Sequence, residues 1–324
     1  MLETKAHNLQ SRNSIVEIIT NSGKKHIVIL YGGGSAEREV SLMSNDNVQA
    51  ALIANGYQIT RIDVGQDIAI KLAEIKRPYV VFNCLIGTYG EDGCIPGLLN
   101  IMNIPYTHSG VKTSATAFDK QIAKTILQFH GIKTPAWVIV SSTDNIVDDP
   151  IPRPYVIKPL QQGSSIGVKI MRTEDTFLFK DYNFQFGNKV LVEKYIKGRE
   201  LQVALLDGKV LGILEIKMLK NKIFYDYQSK YNAGFAEHVM PPILSASITS
   251  QIISIAEKVY KIFDCRGPCR LECILSDIDN EVYVIELNTH PGMTSLSSYP
   301  EIAQYRGISF NTLIEKILMT AQYD

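Results

Sequence analysis

An alternation of apolar strands with helix-forming segments runs through residues 26–107 and limits the folds open to that part of the chain. The segment HIVILYGGGSAEREVSLMSNDNVQAALIANGYQITRIDV predicts a strand, a glycine turn, a helix and a second strand. Val40, Val48 and Leu52 recur near helical spacing, and Asn55-Gly56 is typical of a helix C-terminus. The run YVVFNCLI is apolar, as expected of a strand covered on both faces. These patterns predict an α/β fold with a mainly parallel sheet.

Length, net charge and cysteine content limit which classes of protein this chain can belong to. The chain has 324 residues, 45% of them hydrophobic, with 33 basic and 33 acidic side chains. That length suffices for two or three domains, and zero net charge argues against binding to nucleic acid or an anionic membrane. The first 25 residues lack a signal-peptide pattern, and no window approaches about 18 uninterrupted apolar residues. Five cysteines, an odd number, favour buried thiols in a reducing compartment. We therefore expect a cytoplasmic protein without nucleic-acid or membrane partners.

The second part of the chain changes to short strands, hairpins and separate helices. TSATAFDKQIAKTILQFHG predicts one helix, with an apolar stripe formed by Phe118, Ile122, Thr125, Ile126 and Phe129. In ELQVALLDGKVLGILEI an Asp-Gly pair between two apolar runs predicts a hairpin. KMLKNKIFYDYQSKYNAGFAEHVM has no clean period, and its length is typical of a lid or binding loop. SASITSQIISIAEKVYKIFD and SFNTLIEKILMTAQ predict two further helices.

A predicted C-terminal hairpin, GPCRLECILSDIDNEVYVIELN, carries charged residues on one face. If its turn centres on Asp279, Glu272 lies opposite Glu286 and Arg270 opposite Asn288. Two carboxylates opposed at roughly 5 Å destabilise a bare sheet, and a divalent cation would resolve the repulsion. Two carboxylates and an amide oxygen suit Mg²⁺, which retains waters and is completed by phosphates of a substrate. The alternative is a surface network of arginine and glutamate.

The loop QQGSSIG follows a strand that ends in Lys158-Pro159. Its backbone N–H groups and its hydroxyls, on Ser164 and Ser165, can contact phosphate oxygens, and its small residues allow close approach. Lys158 from the strand and Lys120 from a helix can add positive charge. A plain hairpin turn explains the loop equally well when the loop is taken alone.

The glycine turn after the first strand, GGGSAERE, resembles a dinucleotide fingerprint only loosely. Glu37 stands where that fingerprint has its third glycine, and its carboxylate would repel a pyrophosphate. Glu37 therefore fits better as the partner of a ligand's ammonium group. The alternative is a first-turn carboxylate that compensates the helix dipole.

Five stretches together resemble the D-alanine–D-alanine ligase family of ATP-grasp enzymes, in the family's order and spacing: GGGSAEREVSL, GTYGEDG with a following PG, FDKQIAK, KPLQQGSSIGV and IELNTHPGMTSLS. The resemblance implies a three-domain ATP-grasp fold, with an N-terminal, Rossmann-like parallel-sheet domain. The expected parts are an N-terminal extension (1–24), a substrate-binding α/β domain (25–107), a central ATP-grasp subdomain (108–192) and a C-terminal one with lid and metal site (193–324).

The resemblance also implies a reaction, the ATP-dependent joining of two D-alanines through an acyl phosphate, for peptidoglycan. The implied substrate and catalytic residues are Glu37, Ser164, Tyr231, Arg270 and Gly292. The implied ATP-binding residues are Lys120, Lys158, Ser165, Glu193, Lys194, Tyr195, Ile196, Glu200 and Lys230. Glu272, Glu286 and Asn288 would hold two Mg²⁺ or Mn²⁺ ions, and Ile86 and Ser297 would line the second-substrate site. A homodimer is expected from the resemblance alone.

Three positions depart from the family pattern. Ile86 stands in place of a histidine, Ser298 in place of a leucine after Ser297, and Glu272 in place of an aspartate. Ile86 removes a hydrogen bond or proton relay near the second substrate, so we expect a weak second-substrate site. Two other functions stay open: a ligase that uses D-lactate or D-serine as second substrate, and a non-catalytic nucleotide-binding homologue.

Overall fold

The computed structural model describes residues 26–77, 79–219 and 234–324. The predicted N-terminal extension, 1–24, lies outside the described residues, as do Lys230 and Tyr231. Within the described ranges three sheets form, of three, four and five strands. No helix in those ranges is long and apolar enough to cross a membrane.

The first sheet is parallel, with β1 at its centre and the order β2-β1-β3. Its strands are β1 (His26–Tyr31), β2 (Gln58–Asp63) and β3 (Val80–Asn83), and its helices are α1 (Arg38–Ala54), α2 (Ile68–Glu74) and α3 (Cys94–Ile101). Helix α1 ends at Asn55, and Gly56 follows with φ +83°, as the sequence predicts for a helix C-terminus.

Alternating side chains of β1 enter two different cores, because successive residues of a strand point to opposite faces. Ile27 and Ile29 pack in one core with Leu313 and Ile317 near the C-terminus of the chain. Val28 and Leu30 pack in the other, with residues of α2 and α3. The predicted parallel sheet covered on both faces is therefore confirmed.

The second sheet is antiparallel, in the order β4-β7-β5-β6. Its strands are β4 (Trp137–Ser141), β5 (Tyr155–Pro159), β6 (Lys169–Met171) and β7 (Lys189–Lys194). The loop QQGSSIG joins the paired strands β5 and β6, as predicted. A short 3₁₀ turn, Phe179–Asp181, lies between β6 and β7. Strand β7 runs across the expected boundary between residues 192 and 193.

The third sheet is antiparallel, in the order β10-β9-β8-β11-β12. Its strands are β8 (Gly198–Leu206), β9 (Lys209–Met218), β10 (Ala236–Val239), β11 (Pro268–Ser276) and β12 (Val282–Asn288). Asp207 and Gly208, both with positive φ, form the predicted β8–β9 turn. The described C-terminal end of the predicted lid segment forms β10 against β9, and residues 220–233 of that segment lie outside the described residues.

The remaining helices of the described residues are α4 (Val111–Phe118), α5 (Lys120–Phe129), α6 (Ala246–Ile262), α7 (Ser298–Tyr305) and α8 (Phe310–Leu318). Ser245 caps α6 by accepting a hydrogen bond from the backbone N–H of Ile248. The sequence did not predict α7, because its apolar pattern is short and contains a proline.

The predicted single helix over TSATAFDKQIAKTILQFHG is wrong, since Asp119 separates α4 from α5. Asp119 is extended, with φ −82° and ψ 109°, and its carboxylate accepts the backbone N–H of Ile122. The predicted apolar stripe is also wrong, because Ile122 is 44% exposed and Phe129 86%. The buried face of α5 instead carries Lys120 and Lys124, whose charges need partners from elsewhere in the fold.

Candidate active site

A cavity of about 560 Å³ lies where the three sheets meet. Every predicted site residue within the described ranges lines it, from Glu37 in the N-terminal part to Ser297 before α7. The cavity walls also contain residues that the sequence analysis did not select, among them Glu91, Gln202 and Glu215. The structure thus brings together side chains that are dispersed over most of the chain.

Glu37 lies at the start of α1 and is only 2% exposed. Its Oε1 accepts a hydrogen bond from the Oγ of Ser164, in the loop between β5 and β6. A Cβ atom at Gly163 would lie 2.5 Å from Oε2 of Glu37, so the loop can approach this carboxylate only with a glycine there. The buried carboxylate marks a place where the cavity favours a cationic group.

Two ammonium groups lie on the cavity wall nearest the same loop. The Nζ of Lys120 donates to the backbone carbonyl of Gln162 at 2.7 Å and lies 3.7 Å from Oε2 of Glu286. The Nζ of Lys158 lies 2.5 Å from Oε1 of Glu193. With the backbone N–H groups of the glycine loop, these lysines form a surface suited to phosphate oxygens.

Glu193, in β7, is buried and pairs with two lysines rather than one. Its Oε2 lies 2.6 Å from the Nζ of Lys124, which the sequence analysis missed. Burial opposes ionisation of Glu193, but the ammonium groups of Lys124 and Lys158 lower its pKa to about 2. The sequence did carry a signal, because Lys124 follows Lys120 by four residues and so shares its helix face.

At the end of β7 and just after it, the chain forms one edge of the cavity through Lys194, Tyr195 and Ile196. The backbone N–H of Lys194 donates to the carbonyl of Ala136 at 2.8 Å, and that of Tyr195 to the carbonyl of Pro154 at 3.1 Å. These bonds hold this edge against neighbouring strands. Glu200, in β8, lines the cavity as well.

The C-terminal hairpin has the predicted register, with Glu272 opposite Glu286 and Arg270 opposite Asn288. Arg270 pairs with Oε1 of Glu272 at 2.5 Å. Oδ1 of Asn288 accepts the backbone N–H of His290 at 2.6 Å, which orients the amide. Adjacent carboxylates and an amide oxygen, all on the cavity wall, form a hard-oxygen donor set that fits Mg²⁺ or Mn²⁺. The described part of the chain contains no group of three His, Cys, Asp or Glu side chains placed to hold a metal ion, and here the two carboxylates lie beside an amide instead.

Near the glycine turn the cavity wall combines one apolar side chain with a buried acid. Ile86 is 6% exposed, and its carbonyl accepts the Oγ of Ser35 at 2.6 Å. Glu91 accepts the backbone N–H of Gly87 at 2.9 Å. Burial, together with the nearby charge of Glu37, raises the pKa of Glu91 well above its usual value.

A second part of the wall comes from the residues before α7. The Oγ atoms of Ser297 and Thr294 lie 2.8 Å apart, and a Cβ at Gly292 would lie 3.0 Å from the Ser297 oxygen. Ser298 donates to Oε1 of the buried Gln202 at 2.5 Å. Ser298, which stands where the family pattern has leucine, is therefore held by a polar contact with Gln202.

Comparisons with known proteins agree with this architecture. The family model for the D-ala D-ala ligase C-terminus matches residues 125–319. The D-alanine–D-alanine ligase of Rickettsia felis is 57% identical over 312 residues, which cover 96% of this chain and 97% of that protein. That of Rickettsia typhi is 56% identical over the same length and shares of both chains.

Solved structures give the same result. The crystal structure of D-alanine–D-alanine ligase from Bacillus anthracis matches with a TM-score of 0.77 and 31% identity, covering 91% of this chain and 97% of that chain. The structure of that enzyme complexed with ATP matches with a TM-score of 0.79 and 30% identity, at the same coverage.

The predicted fold class, an α/β ATP-grasp fold with an N-terminal parallel sheet, is confirmed. The predicted ligase function is confirmed as well, and neither the D-lactate or D-serine alternative nor the non-catalytic alternative is favoured. Because these likenesses cover nearly the whole chain, the protein belongs to the D-alanine–D-alanine ligase family of ATP-grasp enzymes.

Proposed function

We propose that the cavity binds ATP and two D-alanine molecules and joins the amino acids into D-alanyl-D-alanine, with release of ADP and phosphate. The assignment of residues to ATP, metal ions and D-alanine rests on one observation. Two lysine ammonium groups, a hairpin with adjacent carboxylates and the Ser164–Glu37 pair all line a single cavity. Such a set serves a phosphate chain, a divalent cation and an ammonium group side by side.

In the first step Glu37, oriented by Ser164, holds the ammonium group of the first D-alanine. The carboxylate of that D-alanine attacks the γ-phosphorus of ATP, the bond to the β,γ-bridging oxygen breaks, and ADP leaves. Lys120, Lys158 and the backbone of the glycine loop hold the phosphates and offset their negative charge. Glu193, Lys194, Tyr195 and Ile196 border the adenine, and Glu200 contacts the ribose.

In the second step the amine of the second D-alanine attacks the acyl carbon, and the tetrahedral intermediate collapses with loss of phosphate and of the amine's proton. Arg270 and the backbone N–H of Gly292 stabilise the developing oxyanion. Glu272, Glu286 and Asn288 would hold two divalent ions. Bound there, the ions would neutralise phosphate charge. Ser297 and Ile86 border the second substrate.

Further parts of the proposal rest on the family alone. Lys230 would reach the γ-phosphate, and Tyr231 would join the Ser164–Glu37 pair. The domain boundaries at about residues 25, 108 and 193 are proposed on the same basis, as are a homodimer and a cytoplasmic location. Sedimentation equilibrium at micromolar protein concentration tests the dimer, and a monomer mass would contradict it.

The function is tested by ADP release with D-Ala, L-Ala, D-Ser and D-lactate as substrates, with product masses determined for each. We expect D-alanyl-D-alanine from D-Ala and little turnover with the other three. ADP formed equally well with L-Ala would overturn the assignment to D-alanine.

The phosphate site is tested by Lys158→Ala. Loss of its ammonium group is expected to weaken the binding of ATP by about tenfold or more, since charged hydrogen bonds are the strong ones. Lys180→Ala, on the 3₁₀ turn, provides the control. Unchanged nucleotide affinity in Lys158→Ala would show that the phosphates bind elsewhere.

A further inference from the structure

The ammonium group of Lys124 is buried behind the cavity wall, against Glu193, and has no part in the proposed reaction. Its side chain is 2% exposed, whereas those of Lys120 and Lys158 are 10% and 12% exposed on the cavity side. Its Nζ lies 2.6 Å from Oε2 of Glu193 and donates to Oγ1 of Thr134 at 2.6 Å. Removing a charged group from water costs free energy, so a buried ammonium group at this position indicates a structural or functional role.

The Glu193 carboxylate connects Lys124 to the cavity. One oxygen, Oε2, faces Lys124, and the other, Oε1, faces Lys158 at 2.5 Å. Glu193 lies opposite Trp137 of β4 and Val156 of β5, at the inner position of the four-stranded sheet, so its backbone is held on both sides. The position of Lys158 Nζ therefore depends on a carboxylate that Lys124 orients.

The net charge of this group of three side chains explains why Lys124 is buried beside Glu193. Lys124, Glu193 and Lys158 together carry a net charge of one positive unit. Without Lys124, the buried carboxylate would be neutralised by Lys158 alone, and that pair would offer no net charge to an anion. With Lys124 present, the carboxylate is already compensated, and Lys158 keeps its positive charge available to the cavity. The pKa of Glu193, lowered to about 2 against burial by the two lysines, agrees with this distribution.

We propose that Lys124 is a positioning residue of the nucleotide site, which compensates the Glu193 carboxylate so that Lys158 can bind the phosphate chain. This inference rests on the proposed function, in which Lys158 holds ATP phosphates. Lys124 itself touches no substrate, because Glu193 separates its ammonium group from Lys158 and the cavity.

The test compares two ligands, a non-hydrolysable ATP analogue and adenosine, whose affinities are measured by calorimetry with Mg²⁺ present. Lys124→Met is expected to weaken binding of the analogue by about tenfold or more, because Lys158 becomes neutralised by Glu193. Adenosine binding is expected to change by less than about twofold, since it makes no phosphate contact. The KM for ATP should rise, while the KM for D-alanine stays unchanged.

Charge compensation makes a second, sharper prediction. In the double variant Lys124→Met/Glu193→Gln the carboxylate is gone, so the positive charge of Lys158 is no longer offset by it. In this double variant the ratio of analogue affinity to adenosine affinity should return towards the wild-type ratio. Lys124→Arg keeps a positive charge beside Glu193, so it should retain most of the wild-type ratio. A residue that only holds α5 in place would show neither recovery.

Three results would overturn the inference: unchanged analogue affinity in Lys124→Met, equal weakening of analogue and adenosine, or no recovery of the ratio in the double variant. Should Lys124→Met fail to fold, Thr134→Val loosens Lys124 without removing its charge and should weaken the analogue by about threefold; no change would count against the inference. Failure of the wild-type protein to bind the ATP analogue would overturn the proposed function instead.

Discussion

The Oγ of Ser164 donates a hydrogen bond to Oε1 of Glu37, a residue 127 positions earlier in the chain. The bond joins the glycine loop of the four-stranded sheet to the first turn of α1, which belongs to the parallel sheet. Two sheets of the molecule are thereby linked by one partly buried polar contact. Its geometry decides where the cavity can place a cationic group relative to the phosphate-binding loop.

Replacing Ser164 with alanine is expected to raise the KM for the first D-alanine by about tenfold or more, because a hydrogen bond to a buried charged group is lost. The KM for ATP should change little. Ser142→Ala, at an exposed position, is the matched control. Steady-state kinetics with both substrates varied provide the measurement, and an equal rise in both KM values would contradict a role confined to Glu37.

Ile86→His is expected to lower the KM for the second D-alanine by about threefold or more, because a polar group gains a contact with substrate in a buried wall. Ile86→Leu keeps the wall apolar and should leave this KM unchanged. Both variants are measured with the first D-alanine at saturation. If the histidine variant shows no gain in affinity, Ile86 is not the cause of a weak second site.

Asn288→Ala is expected to raise the Mg²⁺ concentration needed for half-maximal activity by about tenfold, because one of three oxygen ligands is lost. Activity should disappear after chelation and return with Mg²⁺ or Mn²⁺. Asn188→Ala, an exposed position before β7, is the control. An unchanged Mg²⁺ requirement in Asn288→Ala would remove this residue from the metal site.

A pair of stacked, buried imidazoles makes stability depend on pH. The rings of His108 and His290 lie 3.6 Å apart, centroid to centroid. Burial, and then the neighbouring His290, lower the pKa of His108 well below 6.5, and burial lowers the pKa of His290 to about 4. Between pH 6.5 and 4 the unfolded chain therefore binds more protons than the folded one, so stability falls as pH falls.

The expected loss is about 1.4 kcal/mol per pH unit for each ring that titrates only on unfolding. Urea unfolding at pH 7, 6 and 5 gives the free energy of unfolding, and His108→Gln should reduce the slope by about one ring's share. A slope in His108→Gln equal to that of the wild type would show that His108 does not carry the effect.

Much of the site could be predicted because strand geometry converts sequence position into facing position. The alternation in β11 and β12, with a turn near Asp279, was enough to pair Glu272 with Glu286. The part played by Lys124 could not be predicted in the same way. Its spacing of four residues from Lys120 placed the two lysines on one helix face, but nothing local showed that this face is buried, because its partner Glu193 comes from a strand far along the chain.

Local sequence patterns by themselves determined the β8–β9 turn, the helix C-terminus at Asn55-Gly56 and the facing residues of the carboxylate hairpin. These depend on backbone preferences and on periodicity, which act over a few residues. The tertiary structure alone decided that α5 turns its lysines inward. Burial of an ammonium group is tolerated only where carboxylates distant in the sequence, here Glu193 and Glu286, lie close enough to compensate its charge.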